Sequence, residues 1–227
     1  MKFFVVGLGN FGATLSVQLT GMGHEVIGAD INMNKIEALK DRITHTVCMD
    51  CTDINNLNTI PLREMDVVVV AIGEDFAASV LVTALMKQMK VKKLLGRAFD
   101  DLHRTVIEAL GVDELLLPEQ DSAEKVAKRL TIPQLVNSYE ICDQSAMMEL
   151  RIPQQFYYQR LSETGLTRSA SLKVVAYVHV DDKKNLLGYS RKVKKLELNV
   201  APDKELQPGD HLILIGNVKE LQRIIAK

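Results

Sequence analysis

Short apolar runs alternate with helix-length amphipathic segments along the first 130 residues, and this alternation constrains the fold more than any other feature. The strand-like runs are residues 3–6, 25–29, 45–48, 66–71, 93–95 and 114–116. The helical segments are residues 11–22, 32–39, 75–90, 102–110 and 122–130. Parallel strands need crossover connections, which helices supply. The pattern therefore predicts an α/β fold, a doubly wound parallel sheet with helices on both faces.

The alternation stops near residue 118. Pro118 and Glu119 open a further amphipathic helix, and Pro133 bends or ends it because a proline ring cannot continue a helix. Beyond it we expect a helical connector over residues 134–139, strands over 147–152, 172–180 and 211–215, and a last helix, capped by Asn217, that runs through Ile225. The chain is thus predicted to form two domains, residues 1–137 and a small α+β unit at 138–227.

A glycine-rich turn lies directly between the first predicted strand and the first predicted helix. It reads Gly7, Leu8, Gly9, Asn10, Phe11, Gly12. In that position the first glycine permits a tight turn, the second lets a phosphate approach the backbone, and the third allows the helix to pack closely on the strand. The helix N-terminus offers unpaired N–H groups and partial positive charge to an anion. The segment predicts a Rossmann-like nucleotide-binding domain.

Asp30 stands at the end of the second predicted strand, followed by Ile31. A carboxylate there can accept hydrogen bonds from the hydroxyls of a ribose. Neither arginine nor lysine occupies residues 31–34, so a 2′-phosphate would meet a bare carboxylate. NAD(H) or an adenine nucleotide is therefore favoured over NADP. The alternative is structural: the glycines only form a turn, and Asp30 only caps the helix that begins near Asn32.

Ligands in open parallel sheets lie at the carboxyl ends of the strands, so the residues that follow each strand are the next candidates. Those nearest the predicted strand ends are Asp50, Cys51, Ala71, Ile72, Gly73, Arg97 and Glu119. Arg97 can neutralise a phosphate, or it can be an exposed charge beside a helix. Asp50 or Asp53 can contact an adenosine, or either can cap a helix that begins near Ile54.

The charge balance gives no reason to expect nucleic acid or an anionic membrane as a partner. The chain has 28 basic and 29 acidic residues, a net charge of −1. No apolar run approaches the ~20 residues that cross a bilayer, so direct membrane insertion is not expected. The basic segment 183–195 has Tyr189 as its only aromatic residue, which favours a solvated hairpin over a nucleic-acid surface; contact with an acidic membrane partner stays open.

The cysteines do not indicate a disulfide framework. Three cysteines, Cys48, Cys51 and Cys142, cannot all pair within the chain. Cys48 and Cys51 have the spacing of half a zinc or redox site, but the second ligand pair is missing, so structural cysteines are favoured and no metal is expected.

These residues together resemble the regulator of K⁺ conductance (RCK) proteins of the TrkA/KtrA type, the cytosolic subunits of bacterial potassium uptake systems. The resemblance extends over the whole chain and is strongest over residues 1–130. It rests on residues 7–12, Asp30, segment 49–53, which is similar to the family's Gly-Asp-Ala-Thr-Asp, residues 71–79, Arg97, Pro118 with Glu119, and the closing segment 208–216.

The resemblance implies a domain that binds NAD(H) or an adenine nucleotide (ATP, ADP or AMP). By that resemblance Asp30 holds the ribose, Asp50 the adenosine portion and Arg97 the phosphates, while Glu119 lies near the terminal phosphate or a divalent ion. ATP-regulated members often carry arginine at the position of Asn10, so the resemblance leaves the choice of nucleotide open. Whether the C-terminal domain binds a second ligand such as cyclic di-AMP is also open.

The same resemblance implies a non-enzymatic regulatory subunit that gates a membrane K⁺ translocating subunit of the TrkH/KtrB type. Such a protein forms homodimers, with an octameric ring as the larger assembly, and is cytoplasmic, attached to the inner face of the membrane through its partner. The alternative is an NAD-dependent oxidoreductase. It is disfavoured because the chain has no Tyr-x-x-x-Lys arrangement and no histidine paired with a carboxylate in a suitable place.

Overall fold

The computed structural model describes residues 1–184 and 190–225. Contacts divide the chain into two compact units, Met1–Asp121 and Ser122–Lys227. The domain boundary at residue 137 stays a prediction. Among the described residues, no helix combines the length and the apolar character needed to cross a bilayer.

The first unit contains the predicted parallel sheet. Its strands are β1 (Lys2–Val6), β2 (Glu25–Asp30), β3 (His45–Cys48), β4 (Val67–Val70), β5 (Leu94–Arg97) and β6 (Glu114–Leu116). Their order is β3-β2-β1-β4-β5-β6, with every pair parallel. The chain therefore winds in one direction from β1 to β3 and in the other from β4 to β6. Ligands bind at such a reversal in open parallel sheets.

Helices follow these strands, and four of them begin at a capping side chain. They are α1 (Asn10–Gly21), α2 (Met33–Leu39), α3 (Ile54–Leu57), α4 (Phe76–Gln88), α5 (Asp101–Ala109) and α6 (Pro118–Thr131), with a 3₁₀ turn at Leu62–Glu64. Asn32, Asp53, Asp75 and Asp100 accept backbone N–H bonds of 2.7–2.9 Å at the starts of α2 to α5. Each cap satisfies a donor that the helix itself cannot pair.

Both faces of the sheet are buried, which explains why its strands are apolar without alternating. Phe4, Val6, Val68 and Val70 belong to one buried cluster. Their neighbours in sequence, including Phe3, Val5, Val67 and Val69, belong to a second. Successive side chains point to opposite faces of a strand, so a continuous apolar run fills both layers.

The second unit is built on an antiparallel sheet. Its strands are β7 (Leu135–Cys142), β8 (Ser145–Arg151), β9 (Leu172–Lys184), β10 (Ser190–Leu198) and β11 (His211–Asn217), and α7 (Val218–Ile225) follows. The strand order is β10-β9-β11-β8-β7. Two short 3₁₀ turns, Gln154–Phe156 and Leu161–Glu163, lie between β8 and β9. The predicted cap of the last helix is present, since Asn217 Oδ1 accepts from the N–H groups of Lys219 (3.0 Å) and Glu220 (3.2 Å).

The predicted helical connector over residues 134–139 is wrong. This segment belongs to β7, which pairs antiparallel with β8, Leu135 opposite Leu150 and Tyr139 opposite Met147. Val136, Tyr139 and Ile141 are residues that favour strands, and the ladder of backbone hydrogen bonds to β8 makes the extended form stable. Pro133 marks the end of α6, not a bend within a longer helical region.

The predicted hairpin in the basic segment 183–195 is formed by β9 and β10, which pair antiparallel with Lys194 opposite Val180. Residues 185–189, including Tyr189, lie outside the described residues.

Lys194 Nζ lies 2.5 Å from Oε1 of the largely buried carboxylate of Glu149, and His211 Nδ1 lies 2.7 Å from the same oxygen. Burial alone would raise the pKa of Glu149, but hydrogen bonds from Lys194, His211 and Asn137 outweigh it and lower that pKa to about 2.

Candidate functional site

A cleft of about 520 Å³ opens at the carboxyl ends of the strands in the first unit, where the winding of the sheet reverses. This volume is within the usual range for sites that bind small molecules and cofactors. Most of the sequence-predicted residues line it: Gly7, Gly9, Asn10, Phe11, Asp30, Ile31, Asp50, Cys51, Ala71, Ile72, Gly73, Arg97 and Glu119. The structure thus brings 13 of the 16 candidates to one cleft, and Leu8, Gly12 and Asp53 do not line it. Their binding role stays a prediction.

The glycine-rich turn forms the floor of the cleft. Gly7 has φ = +92°, a conformation that residues with side chains rarely adopt, and a Cβ there would lie 3.0 Å from the backbone nitrogen of Ile72. Gly9 is the N-cap residue of α1 and has an open space beside it, with nothing within 4 Å of a Cβ built on it. The unpaired N–H groups at the start of α1 therefore border the cleft with space in front of them.

Two residues of the glycine-rich turn, Leu8 and Gly12, do not line the cleft. The Leu8 side chain is buried in the core, and only its backbone N–H takes part in the site. A Cβ on Gly12 would collide with the carbonyl oxygen of Gly7 and lie 3.1 Å from the Cβ of Ala71. Gly12 therefore allows α1 to pack closely under the turn, the packing role expected of the third glycine.

Asp30 connects the second strand to the glycine-rich turn. It is buried, and its Oδ2 accepts from the Leu8 N–H at 2.8 Å while its Oδ1 accepts from the Asn32 N–H at 2.9 Å. Lys35 Nζ lies 3.2 Å from Oδ2. An ionised carboxylate has about four acceptor positions, so these three partners leave one for a ligand. Asp30 holds the turn and borders the cleft, whereas the cap of α2 is Asn32, so the alternative in which Asp30 caps this helix is wrong.

Lys35 is a cleft residue that the sequence argument missed. It lines the cleft, and its half-exposed side chain reaches back from α2 to the carboxylate of Asp30. Lys35 lies one residue beyond the segment 31–34, which has no cation. The signal in the sequence was its position on the first turn of a helix that begins directly after Asp30, because such a side chain points back toward the strand end.

The end of β3 supplies Asp50, Cys51 and Thr52. Asp50 Oδ1 accepts from the Thr52 N–H (2.9 Å) and the Thr52 hydroxyl (2.7 Å), and these bonds, the hydroxyl first, lower the pKa of Asp50. Burial raises the pKa of the Cys51 thiol to about 12, so it stays protonated at neutral pH. Asp53 does not line the cleft; it caps α3, accepting from the Asn55 N–H at 2.8 Å.

Arg97, the last residue of β5, forms an ion pair with Glu119, and both residues line the cleft. Its Nη2 is paired with Glu119 Oε1, and its Nη1 lies 3.4 Å from the carbonyl oxygen of Ala71. Its guanidinium lies 5.6 Å from the centre of the Phe11 ring. Arg97 is therefore not the exposed helix-flanking charge of the structural alternative: its side chain is only 13% exposed.

Residues 3–118 match the sequence profile of the TrkA-N domain. The chain belongs to the TrkA-N domain family. The matched segment includes the glycine-rich turn, Asp30 and Arg97, and ends at the first residue of α6.

A curated relative and two solved structures are similar to this TrkA-N protein. Ktr system potassium uptake protein A of Bacillus subtilis (strain 168) is 28% identical over 222 residues, which cover 98% of this chain and 94% of the relative. The GsuK RCK domain has a TM-score of 0.64 at 13% identity and covers 100% of this chain and 48% of its own. The GsuK channel bound to NAD has a TM-score of 0.52 at 17% identity, over 100% and 39%. This chain spans about half the length of the solved GsuK chains or less, and the likeness to them shows the fold alone.

Acidic groups outnumber basic ones in the cleft of this TrkA-N domain. Asp30, Asp50, Glu74, Asp75 and Glu119 line it, against Lys35 and Arg97. Each of the two cations already contacts one of these carboxylates. A phosphate-bearing ligand therefore depends on the N–H groups of the glycine-rich turn and on whichever cation can leave its carboxylate.

The half-site formed by the two cysteines is not completed in this TrkA-N protein. Cys48 is exposed, with its Sγ 3.5 Å from the carbonyl oxygen of Ile31, while Cys51 is buried, and both are free thiols. Across residues 1–184 and 190–225, no group of three or more histidine, cysteine or acidic side chains is arranged to hold a metal ion.

Proposed function

We propose that this protein is a nucleotide-sensing regulatory subunit that gates a membrane K⁺ translocating subunit and does not itself catalyse a reaction. The observation that carries the proposal is the junction of Asp30 with the glycine-rich turn at the floor of a 520 Å³ cleft. A relative in sequence supports the assignment to a potassium system. It is a Ktr system potassium uptake protein, and the match covers almost the whole of both chains.

The ligand of this cleft is NAD(H) or an adenine nucleotide. Its phosphates lie against the start of α1 beside Gly9, its ribose meets the free acceptor position of Asp30, and Arg97 contacts a phosphate. Asp50 and Ile31 border the adenosine end. A solved protein of the same fold is a channel bound to NAD, which supports this class of ligand.

The partner is the membrane subunit of a potassium uptake system, and the protein acts from the cytoplasm. Nucleotide exchange in the cleft then changes the preferred conformation of the regulator. Coupling of typically about 1–3 kcal/mol per site is enough, because several identical subunits acting on one pore add their effects. The potassium uptake role of the Bacillus subtilis relative supports this assignment.

The protein forms a homodimer, and helix α6 is the surface proposed for it. This 14-residue helix has no buried residue in the described chain. Val126 and Leu130, one turn apart, are 42% and 75% exposed. An apolar stripe that the chain does not cover is typical of a helix that packs against a partner, here a second copy.

Leu130→Glu is expected to weaken the dimer by about 100-fold, because it places a charge at the centre of an apolar contact. Light scattering coupled to size exclusion measures the mass over a dilution series. Lys125→Glu, on another face of α6, is the matched control and should leave the dimer intact. Equal dimer stability in wild type and Leu130→Glu would exclude α6 as the interface.

The function itself is tested by titrating the full chain with NAD, NADH, ATP, ADP and AMP and following its melting temperature. A ligand at 100 times its Kd stabilises the native state by about 2.7 kcal/mol, so the effective nucleotides should raise the midpoint by several degrees. Co-purification with a membrane translocating subunit, and nucleotide-dependent K⁺ flux, test the regulatory role. Turnover of NADH with small carbonyl substrates would instead favour the alternative, an NAD-dependent oxidoreductase.

A further inference from the structure

Arg97 is held in place by its surroundings, whereas its acidic partner is not. The Arg97 side chain is 13% exposed, its Nη1 faces the Ala71 carbonyl, and its guanidinium packs over Gly73 so closely that a Cβ there would collide with it. Its Nε is buried and has no hydrogen-bond partner among the described residues. Among the described residues, the one acidic partner of the guanidinium is Glu119, on Nη2.

Glu119 Oε1 is the partner of this Nη2 in the structure. Glu119 lies in the first turn of α6, and its side chain is 58% exposed. The Glu119 carboxylate regains water when it leaves, so its exchange for another anion costs little, whereas departure without a replacement would leave the largely buried charge of Arg97 unpaired. A phosphate offers the same Nη2 a charge-assisted contact with a group of higher negative charge, which is stronger.

We propose that Glu119 is an internal competitor for the phosphate of the ligand, so that the Arg97–Glu119 pair works as a latch that only a phosphate-bearing ligand opens. This inference rests on the proposed function, because it assigns a specificity-determining role within the same cleft. Glu119 lowers the affinity for every ligand whose phosphate reaches Arg97 and leaves ligands without a phosphate unaffected. The latch thus distinguishes a phosphorylated nucleoside from the unphosphorylated nucleoside of the same shape.

The latch also connects the cleft to the helix that leads out of the first unit. Glu119 is the second residue of α6, which runs from Pro118 to Thr131 and so crosses the boundary between the two units at residues 121 and 122. A phosphate that takes over Arg97 removes the ion pair that holds the first turn of α6 to β5. Binding of a charged ligand therefore changes the contacts at the start of this connecting helix.

The test is calorimetric titration of wild type, Glu119→Gln and Glu74→Gln with adenosine, AMP, ADP and NAD at one fixed ionic strength. Glu119→Gln keeps the size of the side chain but removes the competing charge. It should bind the phosphate-bearing ligands whose phosphate reaches Arg97 about tenfold more tightly, with adenosine unchanged. Glu74 also lines the cleft and forms no ion pair with Arg97, so Glu74→Gln measures the general effect of one charge on affinity, expected to be about twofold.

Three results would overturn the latch. The first is equal affinity of wild type and Glu119→Gln for every phosphate-bearing ligand, and the second is weaker binding by the variant, which would make Glu119 a ligand-holding residue. The third is an equal gain in affinity in Glu74→Gln, which would show that the effect comes from the overall negative charge of the cleft and not from competition for Arg97. Glu119→Ala repeats the comparison with the side chain removed. If neither wild type nor variant binds any of the nucleotides, the proposed function fails as well.

Discussion

Replacing Asp30 by alanine is expected to abolish nucleotide binding, weakening it by at least about 100-fold. The carboxylate contributes twice: it offers its remaining acceptor position to the ribose, and it holds the Leu8 N–H at 2.8 Å, which fixes the turn that receives the phosphates. Hydrogen bonds to a charged group contribute about 1.5–3 kcal/mol each, and two such losses correspond to 100-fold or more in Kd.

The variant is also expected to melt at a lower temperature without ligand, because the buried Leu8 N–H loses its acceptor. Binding must therefore be measured as a shift relative to the unliganded variant, or directly by calorimetry. Asp53→Ala is the matched control. It removes another aspartate that accepts a backbone N–H at the start of a helix, at 2.8 Å, but lies outside the cleft. It should lose about 1 kcal/mol of stability and keep full affinity. Wild-type affinity in Asp30→Ala would remove Asp30 from the site.

The layout of the first unit could be predicted from the sequence because local patterns determine it. Continuous apolar runs such as residues 67–71 are buried on both sides only between two covering layers, and a helix-length segment follows nearly every run. Once the strands are parallel, their carboxyl ends meet at one edge. Residues as distant in sequence as Gly7, Asp50 and Arg97 then line one cleft.

The details that could not be predicted depend on side-chain reach and on pairing between distant segments. Lys35 reaches Asp30 because α2 turns it back toward the strand end. The pairing of Arg97 with Glu119 joins the end of β5 to the first turn of α6, 22 residues further along the chain. Residues 134–139, predicted as a helical connector, belong to β7 because pairing with β8 stabilises the extended form, and this pairing decides between helix and strand more than the local pattern does.

Two of the three glycines of the turn, Gly9 and Gly12, make different contributions, and substitution of each by alanine is expected to separate them. Gly12→Ala places a methyl group on the Gly7 carbonyl oxygen, where no flexible side chain can yield. Forcing backbone apart in a packed region costs about 3 kcal/mol, the upper part of the range for overpacking, or more. That corresponds to a fall of roughly 10 °C in melting temperature. The loss of nucleotide binding would follow from the loss of structure.

Gly9→Ala is expected to leave the fold intact and remove the binding. Gly9 has φ −69° and ψ −171°, which alanine adopts freely, and nothing lies within 4 Å of the added Cβ. The melting temperature without ligand should therefore stay within about 2 °C of wild type. The new methyl group lies on the cleft side, where a phosphate must approach the backbone N–H groups of α1, so affinity for NAD and ADP should fall by roughly 30-fold or more. Calorimetry with ADP gives the affinity, and thermal unfolding gives the stability. If Gly9→Ala binds ADP as tightly as wild type does, the phosphates lie elsewhere, because a phosphate beside Gly9 would need the space that the new methyl group occupies.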